Sequence, residues 1–376
     1  MNILNEFDET TKAQWQAQST KDLKGLAFET LIWKTNTGIE LEPYYTKEDA
    51  ENENQSIDIK QFINKEKNNN DWQIIEKIIL DDTNHTPQQL NEKTLNALMN
   101  GATALYFVGD FADENHFNTI FSGIEPQYIH LYFSTSQPED TLNHLVDFLT
   151  QNDIDPTKIK GNLGVQIPND ASEVFYENTS VCLCNINQNL PQFGLINIAI
   201  KNHNNAIEDL KLALKLGNEA LHKLTEQEAW TIDELSQKMM FTFELSDDFY
   251  LELGKLRAFR VLWANVLSRY KATNLTSTLV ATTNTDPTTQ NTETNMVRNT
   301  TQAMAAALAS VDGLIVANFK GSINQTFENR IARNTQLILK HESFLDQKID
   351  PTNGSHYIEH LTHELVAQSW AMFVKS

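Results

Sequence analysis

Three histidines, His356, His360 and His363, stand at i, i+4 and i+7 behind the turn DPTNGS, a spacing that turns imidazoles toward one side of a helix as metal ligands would be. The residues between them, IEHLTHEL, are amphipathic, and HLTHE reverses the zinc motif HExxH, so packing is favoured over a metal. Lys255, Arg257 and Arg260 carry the charge to grip phosphate, yet on a helix that runs into Leu262 and Trp263 they suit ion pairs with neighbours such as Glu252. His203, set among Asn202, Asn204 and Asn205, follows an apolar run as an active-site histidine does; a solvated loop and helix cap accounts for it equally well. Asp247 and Asp248 are placed to act as acid and base, although an acidic pair opening a helix is also what the helix dipole favours. The only cysteines, Cys182 and Cys184, fall in the run SVCLCNI; on a strand they share one face, too close along the chain for an ordinary disulfide, and two buried thiols are expected.

These residues need elements to hold them. From residue 72 onward short β-rich runs alternate with helix-length stretches, the pattern of a parallel sheet covered by helices. Strands are expected at 72–80, 103–109, 128–135, 162–168, 195–201, 238–245, 277–283 and 313–319. SVCLCNI (180–186) makes a ninth run, an extra strand or an insertion. Helices at 205–224, 246–270, 295–310 and 326–345 carry apolar residues at three- and four-residue spacing. The predicted fold class is therefore α/β, a (β/α)8 TIM barrel with an N-terminal extended arm. Phe133, Met240, Phe241 and Phe243 are expected to fill the barrel, and the Thr- and Asn-rich stretch 282–295 lies on the face where barrels place their active-site loops.

Residues 1–70 read as the arm and 71–376 as the barrel. Within the arm, 10–18 predicts a solvent-facing helix, LAFETLIWKT an extended piece, and the Asn-, Glu- and Lys-rich stretch 49–71 a mobile loop. The net charge of −21 argues against nucleic acid as a partner and sits awkwardly with an anionic ligand. No apolar run is long enough to span a bilayer, and the first residues are acidic and amide-rich, so a cytoplasmic protein without a membrane partner is expected.

The runs KLRAFRVLW, NMVRNTTQAMAAALASVDGLIVANF, ENRIARNTQLILKHES and IDPTNGSHYIEHLTHELVAQSW resemble the substrate-barrel domain of the methylmalonyl-CoA mutase family, the cobalamin-dependent acyl-CoA mutases. The match is specific over the last third, with weaker echoes back to EPYYTKEDAE. In that family the barrel holds the acyl-CoA along its axis, and a separate domain with an Asp-x-His-x-x-Gly motif ligates cobalt. This chain contains no Asp-x-His-x-x-Gly, so no cobalt ligand and no cobalamin-binding domain are expected in it.

The family's polar residues also fall on apolar or acidic ones. Counting without gaps from Arg298, Thr-His-Cys-Gln meets Thr278, Leu279, Val280 and Ala281; Ser-Leu-His-Thr-Asn meets Gly313, Leu314, Ile315, Val316 and Ala317. Arg-x-Ser meets Lys238 and Met240. With one gap, Val-Arg-Asn-Thr, whose Arg pairs the substrate carboxylate, meets Tyr176, Glu177, Asn178 and Thr179. His203 lies close to, but not on, the family's Gly-Tyr-His. The degenerate positions are thus Glu177, Met240, Leu279, Ala281 and Ile315, and the resemblance implies no catalytic, cofactor-binding or metal residues in this chain.

The pattern is similar to the small, non-catalytic subunit of heterodimeric methylmalonyl-CoA mutase, which implies a catalytic large subunit as partner, adenosylcobalamin carried by that partner, and a part in propionate metabolism. Three other readings stand beside it. They are an active acyl-CoA mutase barrel that uses a cobalamin domain from a separate chain, a barrel recruited to another activity around Asp247 and His203, and a scaffold with no mutase partner.

Overall fold

Side chains alternate along a β-strand, so a closed barrel sends every second residue to its axis and the others to the surrounding helices. The computed structural model describes residues 10–375 except 53–57, 64–66, 82, 169, 228–229, 287, 289–290 and 322–325. The chain opens with α1 (Lys12–Asp22), a small antiparallel pair β1 (Trp33–Lys34) and β2 (Glu40–Leu41), and α2 (Lys47–Asn52). Strand and helix then alternate: β3 (Gln73–Ile79), α3 (Pro87–Met99), β4 (Ala104–Val108), α4 (Glu114–Phe121), β5 (His130–Ser134), α5 (Pro138–Gln151), β6 (Lys160–Gln166) and α6 (Glu173–Asn189). The second half follows with β7 (Phe193–Ile200), α7 (Ala206–Thr225), the short α8 (Ile232–Gln237), β8 (Met239–Glu244), α9 (Phe249–Arg269), β9 (Thr278–Thr282), α10 (Thr294–Leu308), β10 (Gly313–Ile315), α11 (Thr326–His341) and α12 (His356–Phe373). Strands β3 to β10 are all parallel and close as β10-β3-β4-β5-β6-β7-β8-β9, the (β/α)8 barrel expected.

Local chemistry starts the helices where the loops end. Thr86 caps α3 by accepting from the Gln89 amide, with Gln89 returning the bond and Pro87 pre-set at the first helical position. Asn205 caps α7 and Asp248 caps α9 by accepting from first-turn backbone amides through their side-chain oxygens. Strand β6 carries a register shift between Asn162 and Val165, and Gly164 sits there at φ +68°; a Cβ on it would lie 1.8 Å from the Phe133 carbonyl oxygen.

The register places Phe107, Phe133, Phe241 and Phe243 in the large core between barrel and helices, where Phe241 and Phe243 meet Phe259 of α9 at 4.6 and 5.0 Å. Of the four residues expected to fill the axis, only Met240 points inward. Helix α11 covers β3 and closes the ring, so α12 is an additional helix packed outside α9 and α7. That outer layer explains why α9 is buried on almost every side, its basic residues included.

Three sequence expectations are corrected. SVCLCNI is not a strand but lies within α6, whose N-terminus is capped by Ser172; Cys182 is buried and Cys184 partly buried, two positions apart on a helix and therefore on different faces. LAFETLIWKT is not one extended piece: it holds a 3₁₀ turn, Phe28–Leu31, with only Trp33–Lys34 as strand. In the stretch expected to be a mobile loop, α2 and a 3₁₀ turn form, and Ile59, Ile63 and Asn70 are buried. The solvent-facing helix is found as α1, which buries no residue.

The arm runs along the barrel from end to end. Asn36 donates to the Asn204 carbonyl in the loop after β7, Tyr45 stacks on His360 of α12, and Lys67 donates to the Val311 carbonyl just before β10.

Candidate functional site

Barrel enzymes place their chemistry at the C-terminal ends of the strands, reached along or above the axis. At mid-height the axis is filled mainly by apolar side chains, with the hydrogen-bonded pair Asn197 and Thr242 beside them. Ile75, Ala104, Tyr132, Met240, Val280 and Ile315, one from each of β3, β4, β5, β8, β9 and β10, form a separate apolar cluster with Tyr106 against it. Burial, with the Asp312 carboxylate adding to it, pushes the Tyr132 phenol pKa up. Below this layer His130 is pushed down to about 4 by burial and by Lys160, which keeps it neutral.

Above the layer the mouth is polar. A cavity of about 340 Å³ is lined by Ile75 and Ile315 at its floor and by Lys77, Glu244, Thr282, Asn284 and Asn318 higher up. Lys77 is open to the cavity, yet enough protein surrounds it to lower its pKa below the ordinary lysine value, with Glu244 opposing the shift. Glu244 accepts from the Asn284 side chain at 2.7 Å. Sequence reading missed Lys77, Glu244 and Asn284. The signal was available in β3, where a lysine follows Ile75 at the inward spacing of two.

The residues singled out in the sequence fare differently. Ile315 and Met240 line the closed layer. Leu279 and Ala281 do not: they face the helices, while Val280 between them faces the axis. Lys238 lies at the opposite end of β8, donating to the carbonyls of Pro191 and Phe193 at 2.6 and 2.9 Å, with burial pushing its pKa down to about 8. Glu177 is exposed on α6, well away from the axis layer, because the run holding it is helix.

The basic residues of α9 form internal ion pairs. Lys255 meets Glu252 at 2.7 Å and Asp209 at 3.2 Å; burial works against its charge, but the two carboxylates outweigh it and raise the pKa. Arg257 joins Asp350 and Glu359, and Arg260 holds Asp312 at 3.1 Å. His203 sits just past β7 with Nδ1 2.7 Å from Asp209, the carboxylate that also serves Lys255. Asp248 caps α9, and Asp247 accepts from Arg298 and Gln302, so the two acids are engaged separately. Among the described residues no group of three His, Cys, Asp or Glu side chains is placed to hold a metal, and no helix is long and apolar enough to cross a membrane.

Residues 150–375 match the family model described as methylmalonyl-CoA mutase. The chain is 28% identical over 399 residues to the methylmalonyl-CoA mutase small subunit of Porphyromonas gingivalis, covering 99% of this chain and 63% of that protein. It is 26% identical to the small subunit of Streptomyces virginiae, covering 99% and 64%. To the large subunit of Porphyromonas gingivalis it is 31% identical, over 49% of this chain and 27% of that protein. The chain thus spans somewhat under two thirds of the length of the small subunits it resembles.

Proposed function

The chain belongs to the methylmalonyl-CoA mutase family, and from that premise we propose that it is a non-catalytic small subunit supporting a large subunit that isomerises (R)-methylmalonyl-CoA to succinyl-CoA. The closed apolar layer carries this reading. A thioester arm lying along the axis would need the volume that Ile75, Tyr132, Met240, Val280 and Ile315 occupy, and side chains packed this way do not part without several kcal/mol of cost.

The mouth offers little to cobalamin. Among the described residues its cavity is lined by no histidine or cysteine, and His203 at the end of β7 is already bound to Asp209. In this reading adenosylcobalamin, which supplies radical chemistry, is held by the large subunit, in the cytoplasm and in propionate metabolism. This chain then acts through its surface, and its barrel serves as a rigid body that shapes the pair. The division near residue 70 between the arm and the barrel belongs to the same reading.

Co-expression with the large subunit from the same genome tests it. A stable one-to-one complex that turns over methylmalonyl-CoA, together with no saturable binding of coenzyme A to this chain alone, is the expected result. Micromolar coenzyme A binding by the isolated chain would instead support an active barrel that borrows its cobalamin domain.

A further inference from the structure

The mouth cavity has a charge arrangement that the subunit role does not use. Lys77 from β3 and Glu244 from β8 both line it, three strands apart round the ring, and attract one another across the mouth. Among the described residues the Lys77 ammonium has no hydrogen-bond acceptor, whereas Lys238 next to β8 donates to two backbone carbonyls and Lys340 of α11 donates to the Trp72 carbonyl. Glu244 is held in place by the Asn284 amide through one oxygen, and among the described residues its second oxygen accepts no hydrogen bond. The remaining charged pair in the lining, Arg333 with Glu76, is closed on itself at 2.8 Å. The floor beneath is hydrocarbon, from Ile75 and Ile315.

A cavity with one cation, one anion and an apolar floor is neutral overall and polarised, which matches a small zwitterion better than a simple anion or cation. We propose that the mouth of this barrel binds a free α-amino acid with a small side chain, its carboxylate on Lys77, its ammonium on Glu244 and its side chain on Ile75 and Ile315. Charge-assisted hydrogen bonds at both ends give orientation, and the closed layer below limits the side chain to a few heavy atoms. A hydroxy acid or a plain carboxylate satisfies Lys77 but leaves Glu244 without a counter-charge. Neither the cavity nor this assignment depends on whether the chain pairs with a large subunit.

Calorimetric titration of the full chain with L-alanine, lactate and propionate decides the matter, with methyl chemical shifts of Ile75, Ile315 and Thr282 recording where the ligand sits. Saturable L-alanine binding is expected, with shifts confined to those methyls and about tenfold or greater weakening in both Lys77→Met and Glu244→Gln. Lactate and propionate should bind at least about tenfold more weakly than L-alanine. No saturable L-alanine binding, equal binding of the three compounds, or L-alanine binding that neither variant weakens would each overturn the assignment. Circular dichroism of both variants guards against misfolding, and Asn284→Ala, which frees Glu244 without removing a charge, supplies a third variant expected to weaken L-alanine by a smaller factor.

Discussion

Leu279 shows how one residue of register separates a catalytic reading from a structural one. Counting along the chain laid the family's histidine on Leu279 and its glutamine on Ala281, but both are fully buried among the helices, and the inward positions of β9 are Val280 and Thr282. Strand periodicity is two, so a slip of one residue exchanges the faces, and counting alone cannot detect it. That apolar side chains reach the axis was nevertheless legible through Ile315 and Met240, since their neighbours along the strand are apolar too and a slip of one residue leaves the reading unchanged. Placing a histidine at 279 should therefore give no mutase activity. It should destabilise the fold by about 3–5 kcal/mol, because an imidazole replaces hydrocarbon in a dry core with no partner. Urea denaturation of Leu279→His beside the parent chain measures this, and a loss below 1 kcal/mol, roughly the scale of a surface change, would mean that the side chain reaches water at the axis. His130 makes a second prediction. Its folded pKa of about 4 lies below the ordinary 6.5, so the unfolded chain takes up the proton first and stability falls as pH drops from 6.5 towards 4. The loss is at most about 3 kcal/mol and smaller here because the ring is partly open to solvent. Between pH 7 and pH 4.5 or so, His130→Asn should lose less stability than the parent; equal losses would show the imidazole to be freely solvated.

Elements are decided by what covers them, which explains both the helix read correctly and the one read as a strand. Helix α9 was legible from its spacing, and its ion pairing with Glu252 was the favoured reading; what could not be read was that α12 and the arm would bury Lys255, Arg257 and Arg260 almost completely. Buried charges hold only when paired, so Arg257, bonded to Asp350 and Glu359, locks α9 to the α12 segment. Removing it as Arg257→Ala strands two carboxylates, and a loss of about 3–5 kcal/mol is expected in chemical denaturation. If the variant were as stable as the parent, water would have to reach that pair. Helix α6 was missed because SVCLCNI is rich in β-prone residues. A longer window holds the correction: Tyr176, Thr179, Leu183, Ile186 and Leu190 recur at intervals of three and four and are all buried, behind a serine cap at Ser172. Local propensity lost to the demands of packing on β7 and α7.

At the scale of the whole molecule, the arm is joined to the barrel more closely than its composition implied. The stretch before β3 has few apolar residues, and composition alone therefore read it as loop; yet Ile59 and Ile63 are buried, and Asn70 is fully enclosed. The Asn70 side chain donates to the carbonyls of Ala307 at 2.6 Å and Leu345 at 2.9 Å, while its backbone amide donates to Asp346 at 2.7 Å. One residue thus ties the end of α10 and the segment after α11 to the entry of β3. Single buried contacts of this kind leave no periodic trace in a sequence, whereas the barrel, built from eight repeats of strand and helix, leaves a strong one. Two regimes of stability follow within the arm. Helix α1 buries no residue and meets the rest of the arm through Trp15 against Phe28 and Tyr44 and through Lys12 with Glu42 and Asp49, so its amides should exchange with solvent by local opening. Amides of residues 59–63 and of Asn70 should exchange only with global unfolding, at rates matching β3. Substituting Asn70→Ala removes two side-chain hydrogen bonds, the one to Ala307 fully buried, and should lower global stability by about 1–3 kcal/mol. The slow-exchanging amides of β3 and of residues 59–63 should then accelerate by the same factor, while those of α1 stay unchanged. Acceleration confined to residues 59–70 would show that the arm opens independently of the barrel, and the division near residue 70 would then mark a true unit of stability.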